Sequence, residues 1–452
     1  MENAYAELAA DGLILSRVGS GTYVLPPLLI PPAAKDGPRA PWPLWQKDVQ
    51  ARRLAYTRTR PDEMLEAAGH PDPITFARGV GDSHLFPVED LRKVLRTIIR
   101  CDGTASLEYG EHNGYAPLRS TIAHVLGSQG LQVHAESILI TSGSLQAIAL
   151  VSQLLLKPGD AILVESPTYS GVLDLCRSLS LKIVGIPTDE GGMRVEKLEA
   201  LLQQHHPKLM YTIPNFQNPT GVCLSGQRRR QLVALADRYS VHILEDDFVG
   251  DLRYEGRSQP ALNALDPGGR VIYVSTFSKM LMPGLRVGFL AAEGPVYDSL
   301  VSHKRVNDPA TSNLIQRTLE AYVTVGRYQA HLRRSCQLYR KRRDAMLLAI
   351  NRYLPSAVEI QPPQGGLFVW LRLADNLSAR QLLPVACEEG VSFAPGSGFC
   401  PDGSGDSCCL RLNFAAHPPE VIEEGIKRLG KAITVLHRRL DGGVTLGHSG
   451  RE

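Results

Sequence analysis

The sequence predicts an α/β protein: a large, mainly parallel sheet covered by helices, followed by a smaller α+β domain. Three observations predict it. From about Ile74, short apolar runs (ILIT, AILVE, KLMYTIP, VHILEDD, VIYVS) alternate with helical ones (SLQAIALVSQLLL, YSGVLDLCRSL, QRRRQLVALADRY), the rhythm of parallel strands joined by helical crossovers. After about Lys304 that rhythm gives way to long helices with a few strands, GGLFVWLRL and CLRLNF among them. The 452 residues, 43% of them hydrophobic and 21% charged, are enough for two domains around a sizeable core.

Residues 1–24 read as a small separate unit. NAYAELAADG is a short helix with Tyr5 and Leu8 on one face and Gly12 as its C-terminal cap. LILSRVGSGTYV is a hairpin with Gly19 to Gly21 at its tip. One helix and one hairpin cannot bury a core alone. Residues 25–70, dense in proline, read as linker and arm, 71–305 as the large domain, 306–440 as the small one and 441–452 as a frayed tail. Lys plus Arg number 49 against 46 Asp plus Glu, so a general polyanion-binding surface is not expected. The eight cysteines lack zinc-ligand spacing and a disulfide framework. No apolar run approaches the ~20 residues of a membrane span, and no signal peptide is visible, so a cytoplasmic location without a membrane partner is expected.

In a sheet of this kind ligands gather at the carboxyl ends of the strands. After ILIT come Ser142-Gly143-Ser144 opening a helix, a cradle for phosphate or simply a cap. After AILVE, Tyr169 stands on a turn where its ring stacks on a flat ligand or on its own loop. After KLMYTIP comes the turn Asn218-Pro219-Thr220-Gly221, whose amide either donates to a ligand or caps the next helix. After VHILE come Asp246 and Asp247; two carboxylates at a strand end suggest metal, but no further acidic or histidine cluster accompanies them, and no metal is expected. After VIYVS come Thr276, Ser278, Lys279 and, past a Pro283-Gly284 turn, Arg286. A lysine among hydrophobic residues is either an exposed loop residue or part of a site.

Together these supply a lysine, a strand-end carboxylate, a phosphate cradle with an arginine, a stacking ring and an amide donor. That set fits pyridoxal 5′-phosphate, with a lysine Schiff base, an aspartate for the pyridinium nitrogen and a site for a dianionic phosphate. The glycine-rich fingerprints of dinucleotide-binding and P-loop proteins are missing.

Residues from about 74 to 435 resemble fold-type I pyridoxal-phosphate enzymes, the aspartate aminotransferase superfamily, through TFSKMLMPGLRVG, NPTG and ILEDD in that family's order. The resemblance implies that Lys279 carries the cofactor aldimine, Asp246 partners the pyridinium, Asn218 donates to the ring O3′, and Tyr169 stacks. It assigns Ser144, Thr276, Ser278 and Arg286 to the phosphate, and Arg411 in CLRLNF to the substrate α-carboxylate, which its fork suits. Tyr109, in SLEYGEHNGYAPLRSTIA, matches a tyrosine that reaches the neighbouring subunit's phosphate, which implies a homodimer. The implied reaction moves an amino group from an amino acid to a 2-oxo acid, with Lys279 carrying the proton at Cα. One departure stands out. The family's tyrosine shortly after the aspartate is replaced by Phe248 and Val249.

The front end, AYAELAADGLILSRVGSGTYV, is similar to the end of the recognition helix and the wing of a GntR-type winged helix. A winged helix joined by a proline-rich linker to an aminotransferase domain is the plan of the MocR regulators. Met1 enters within the recognition helix, so DNA binding is expected only if a complete winged helix lies upstream, with Met1 then a misassigned or degraded start. Three readings follow: an aminotransferase, a MocR-type regulator that uses the same domain to sense pyridoxal phosphate or an amine, and a β-lyase or decarboxylase on the same fold.

Overall fold

The computed structural model describes residues 2–10, 13–17, 19–24, 43–47, 49, 61–374, 377–402 and 408–444. Two compact units divide the chain, Met1–Thr57 and Arg58–Glu452.

In the first unit a helix, Glu2–Ala10, precedes strands β1 (Ile14–Arg17) and β2 (Gly21–Val24). The strands pair antiparallel from Ile14 opposite Val24 to Arg17 opposite Gly21. Gly19 and Gly21 take φ of +82° and +96°, the left-handed geometry that a tight hairpin demands. Ile14 is buried, whereas Tyr5, Leu8, Leu13, Leu15 and Tyr23 are exposed, as expected of elements too few to close a core. The expected helix cap at Gly12 and most of the expected linker lie outside the described residues.

The second unit opens with a helix, Pro61–Ala67, inside the stretch expected as linker and arm. Proline starts it without losing a hydrogen bond, and Asp62 and Glu63 complement its positive end. Its framework is an eight-stranded sheet in the order β4 (Ile138–Thr141), β11 (Gly288–Ala291), β10 (Val271–Thr276), β9 (His242–Asp246), β8 (Leu209–Thr212), β5 (Ala161–Ser166), β6 (Lys182–Asp189) and β7 (Gly192–Met193). Strands β10, β9, β8, β5 and β6 run parallel. Strands β4, β8 and β10 are buried along their whole length, which explains their unbroken apolar sequences. Strand β11 runs antiparallel to both its neighbours. The lysine-bearing loop 277–287 is therefore the connection of a hairpin, pinned at both ends by Thr276 opposite Gly288.

A four-stranded antiparallel sheet forms the smaller portion: β12 (Glu359–Ile360), β13 (Phe368–Arg372), β16 (Cys409–Asn413) and β15 (Ala394–Pro395). The long helices Arg327–Tyr353 and Pro419–Val444 belong with it, the latter entering the stretch expected as tail. Strand β3 (Ile74–Thr75) pairs with β14 (Val391–Ser392), so the start of the expected large domain builds onto the C-terminal portion. A two-residue strand whose partner lies over 300 residues away leaves no local signal of which sheet it joins.

Candidate functional site

The lysine loop meets the helix that follows β4 at its amino end. Helix Ser144–Leu155 begins after Gly143, whose φ of +118° turns the chain sharply off β4. Arg286, itself left-handed at φ +51°, sends Nη2 to the Ser142 carbonyl at 2.7 Å and Nη1 to Ser278 Oγ at 3.4 Å. Thr276 Oγ1 lies 3.0 Å from Ser278 Oγ and accepts the Ser278 N–H at 3.1 Å. Hydroxyls, a guanidinium and a free helix amino end thus converge on one spot, an anion cradle by both dipole and charge. Two glycines leave room for it. A Cβ on Gly143 would stand 2.7 Å from Arg286 Nη2, and one on Gly288 would meet the backbone of Gly143 and Ser144 within 2.8 Å.

Lys279 sits beside this cradle. Burial, then the positive charges of Arg411 and Arg286, bring its amine down to about 8. A substantial neutral fraction is therefore present near pH 7.5, as a nucleophile requires. Across the cavity stands Asp246 at the end of β9, buried, with its carboxyl pushed up to about 7 chiefly by desolvation. Oδ2 accepts the Tyr211 hydroxyl at 2.7 Å, while Oδ1 is buried with no partner among the described residues. Asp247 points the other way, as the next residue of a strand does, and accepts from Asn215 at 3.0 Å and Tyr273 at 2.8 Å. Phe248 lines the cavity and Val249 is fully buried, so neither of these positions brings a phenol.

The third wall comes from β16. Arg411 donates through Nη1 to Asn218 Oδ1 at 2.8 Å and through Nη2 to the Ala77 carbonyl at 2.7 Å, and its Nε has no partner. Phe368 and Phe399 lie 4.1 and 4.9 Å from its guanidinium carbon. Burial brings the group down to about 10. Asn413, two residues on, holds the facing segment: its side chain donates to the carbonyls of Arg78 and Val80, both at 2.7 Å, and its N–H donates to the Phe76 carbonyl at 3.0 Å. That segment brings Gly79 into the cavity wall opposite Phe368.

The cavity measures about 300 Å³. Nine of the ten residues singled out in the sequence line it: Ser144, Tyr169, Asn218, Asp246, Thr276, Ser278, Lys279, Arg286 and Arg411. Tyr109 does not; it lies on the surface, 91% exposed. Phe248 and Pro283, both named in the sequence, line it as well; Gly79, Leu145, Ser170, Ile213 and Phe368 complete the wall and were not evident from sequence, nor was Tyr211 behind Asp246. The one available signal for Tyr211 was a hydroxyl in the middle of an otherwise apolar strand, which must find a partner when buried. The residues present fit pyridoxal 5′-phosphate. The partnerless Oδ1 suits a ring N–H, the cradle a phosphate, and the depressed lysine an aldehyde.

A family model, aminotransferase class I and II, matches residues 79–429. The chain is 35% identical over 405 residues to an aromatic-amino-acid aminotransferase of Thermococcus litoralis, covering 88% of this chain and 97% of that one. It is 34% identical over 435 residues to an uncharacterized HTH-type transcriptional regulator of Escherichia coli, YdcR, covering 96% of this chain and 90% of that one. Among solved structures it is similar to a Pyrococcus horikoshii kynurenine aminotransferase in complex with PMP, with a TM-score of 0.81, 34% identity, and coverage of 87% and 99% of the two chains.

Proposed function

Because the chain belongs to the class I and II aminotransferase family, fold-type I enzymes dependent on pyridoxal 5′-phosphate, we propose that its cavity transfers an amino group from an amino acid to a 2-oxo acid, with Lys279 as the catalytic base. One observation carries this reading: a depressed lysine, a partnerless buried carboxylate oxygen and an anion cradle share one cavity. When bound, the cofactor supplies an aldehyde that condenses with amines and a ring that withdraws electrons from the adjoining carbon.

The chain's own groups do the rest. Ser144, Thr276, Ser278 and Arg286 hold the phosphate. Asp246 accepts the ring N–H at Oδ1, and the Tyr169 ring packs on the cofactor face. Asn218, whose Oδ1 accepts from Arg411, would donate to the ring oxygen through its amide Nδ2. With Phe248 and Val249 in the usual tyrosine's place, Asn218 serves that oxygen without a phenol beside it. Arg411 receives the substrate carboxylate, which neutralises a buried cation. Lys279 would hold the cofactor through its amine and, in its neutral form, would be the base that carries the proton at the substrate Cα. Tyr109, exposed in one chain, reaches the phosphate of a second copy in a homodimer.

Addition of the cofactor should turn the protein yellow, and borohydride followed by peptide mapping should mark Lys279. An amino acid should then bleach the band with release of one equivalent of its 2-oxo acid. A colourless protein, or a label on another lysine, refutes the assignment.

A second reading has a specific observation in its favour. The match to the regulator YdcR spans 96% of the chain and so extends into the first 57 residues, where the helix and hairpin lie. In that reading the cavity senses pyridoxal phosphate or an amine for a DNA-binding protein of the MocR type, and operator binding belongs to a complete winged helix. Amino-acid-dependent bleaching with no multiple turnover, together with cofactor-dependent binding of promoter DNA by the chain extended upstream in frame, would favour it over catalysis.

A further inference from the structure

We infer that Tyr211 is the positioning residue that aims the free oxygen of Asp246 into the cavity and holds that carboxylate as the anion. The sheet register creates the pairing. Tyr211 on β8 stands opposite Leu244 on β9, and Asp246, two residues beyond Leu244, presents its side chain on the same face. Tyr211 is fully buried, and its hydroxyl meets Asp246 Oδ2 at 2.7 Å. Among the described residues it is the one hydrogen-bond donor to this carboxylate, and no arginine, lysine or histidine pairs with it.

Apart from Lys279, which faces it across the cavity, the surroundings of Asp246 oppose its charge. Asp247 adds a like charge, and burial favours the neutral acid. Tyr169 faces it from the loop after β5, and Glu165 of β5 stands near Tyr211. Burial and the Asp246 charge push the Tyr211 phenol well above its ordinary value, so it remains an O–H donor throughout the neutral range. A buried carboxylate with a single donor has one lever on its ionisation, and that lever also fixes which oxygen is left free. This inference rests on the reading of the cavity as a pyridoxal-phosphate site, where an ionised Asp246 keeps the proton on the ring nitrogen and a neutral one does not.

The test compares the unaltered protein, Tyr211→Phe and Tyr273→Phe, which removes the corresponding hydroxyl from Asp247, each loaded with cofactor labelled with nitrogen-15 in the ring. Tyr211→Phe should shift the ring resonance toward the unprotonated position. Its kcat should fall about ten- to hundredfold, the worth of a hydrogen bond to an ionised group, with KM within about twofold. Tyr273→Phe should leave the resonance in place. In the cofactor-free protein, carbon-13 titration should place the Asp246 midpoint higher in Tyr211→Phe. Replacing Tyr211 by 3-fluorotyrosine, which keeps the shape and sharpens the donor, should lower that midpoint, and it decides the matter if the phenylalanine variant does not fold. An unchanged ring resonance and an unchanged Asp246 midpoint, in protein that still binds the cofactor on Lys279, overturn the inference alone. Absence of any adduct on Lys279 overturns the cofactor reading beneath it.

Discussion

Arg411→Met tests how the cavity uses a buried positive charge. Among the described residues Arg411 has no carboxylate partner, and burial takes its guanidinium well below its ordinary value, down to about 10. That difference corresponds to about 3 kcal/mol of lost solvation carried by the charged form. An arriving α-carboxylate offsets it, so the variant should bind amino acids about a hundredfold more weakly, at a tenfold change for each ~1.4 kcal/mol. An amine of the same side chain without the carboxylate should bind almost as before. Stability should respond differently. The methionine stem keeps its place beside Phe368 and Phe399, and the solvation penalty disappears with the charge. The variant forfeits hydrogen bonds from a charged donor to Asn218 and the Ala77 carbonyl, about 1.5 kcal/mol each. The two effects nearly cancel, and the melting temperature should move by no more than a few degrees. Spectral titration of the loaded protein with the acid and with the amine, beside a melting curve, is the assay. Equal weakening for both ligands, or a large drop in melting temperature, would show that the guanidinium is a strut for residues 76–80 rather than a receptor.

Lys279, brought down to about 8, makes the folded cofactor-free protein bind fewer protons than the unfolded chain between about pH 8 and 10.5. Urea unfolding should therefore show stability rising across that window relative to Lys279→Ala, and a parallel pH dependence in the two proteins would contradict the shift. Asp246→Asn should lower turnover by about a hundredfold or more while Asp247→Asn costs far less, because only Asp246 lines the cavity; steady-state kinetics decide, and equal losses would mean the two carboxylates share the role. Gly288→Ala places a methyl within 2.8 Å of the Gly143 and Ser144 backbone, an overpacking cost of about 1–3 kcal/mol. Cofactor affinity by fluorescence titration should fall at least about tenfold, and normal affinity would mean the cradle yields at no cost.

The sequence announced the cavity where chemistry sits on strand ends. Ser144, Asn218, Asp246 and Lys279 each follow an apolar run within a few residues, so order along the chain translates into position along the sheet edge. What it concealed depends on pairing between strands. Tyr211 matters because of where β8 registers against β9, and Gly79 because of where Asn413 ties its segment. Neither relation leaves a local pattern, since a buried parallel strand is apolar on both faces and masks which side chain looks toward a neighbour's carboxylate. The antiparallel course of β11 was hidden for the same reason: four apolar residues read alike in either direction.

The lacing of residues 76–80 to Asn413 and Arg411 joins stretches more than 330 residues apart. During synthesis the segment that presents Gly79 emerges long before its anchor. The large sheet, β4 to β11, needs nothing beyond residue 291 for its strands to pair. The ribosome therefore releases a platform bearing the lysine and the aspartate well before the wall that meets the substrate exists. Closing so long a loop is slow, and until it closes Arg78 and Val80 keep their carbonyls in water. The competence of the cavity thus waits on residue 413, and a nascent protein halted before it holds the reactive amine but not the pocket that selects what reaches it.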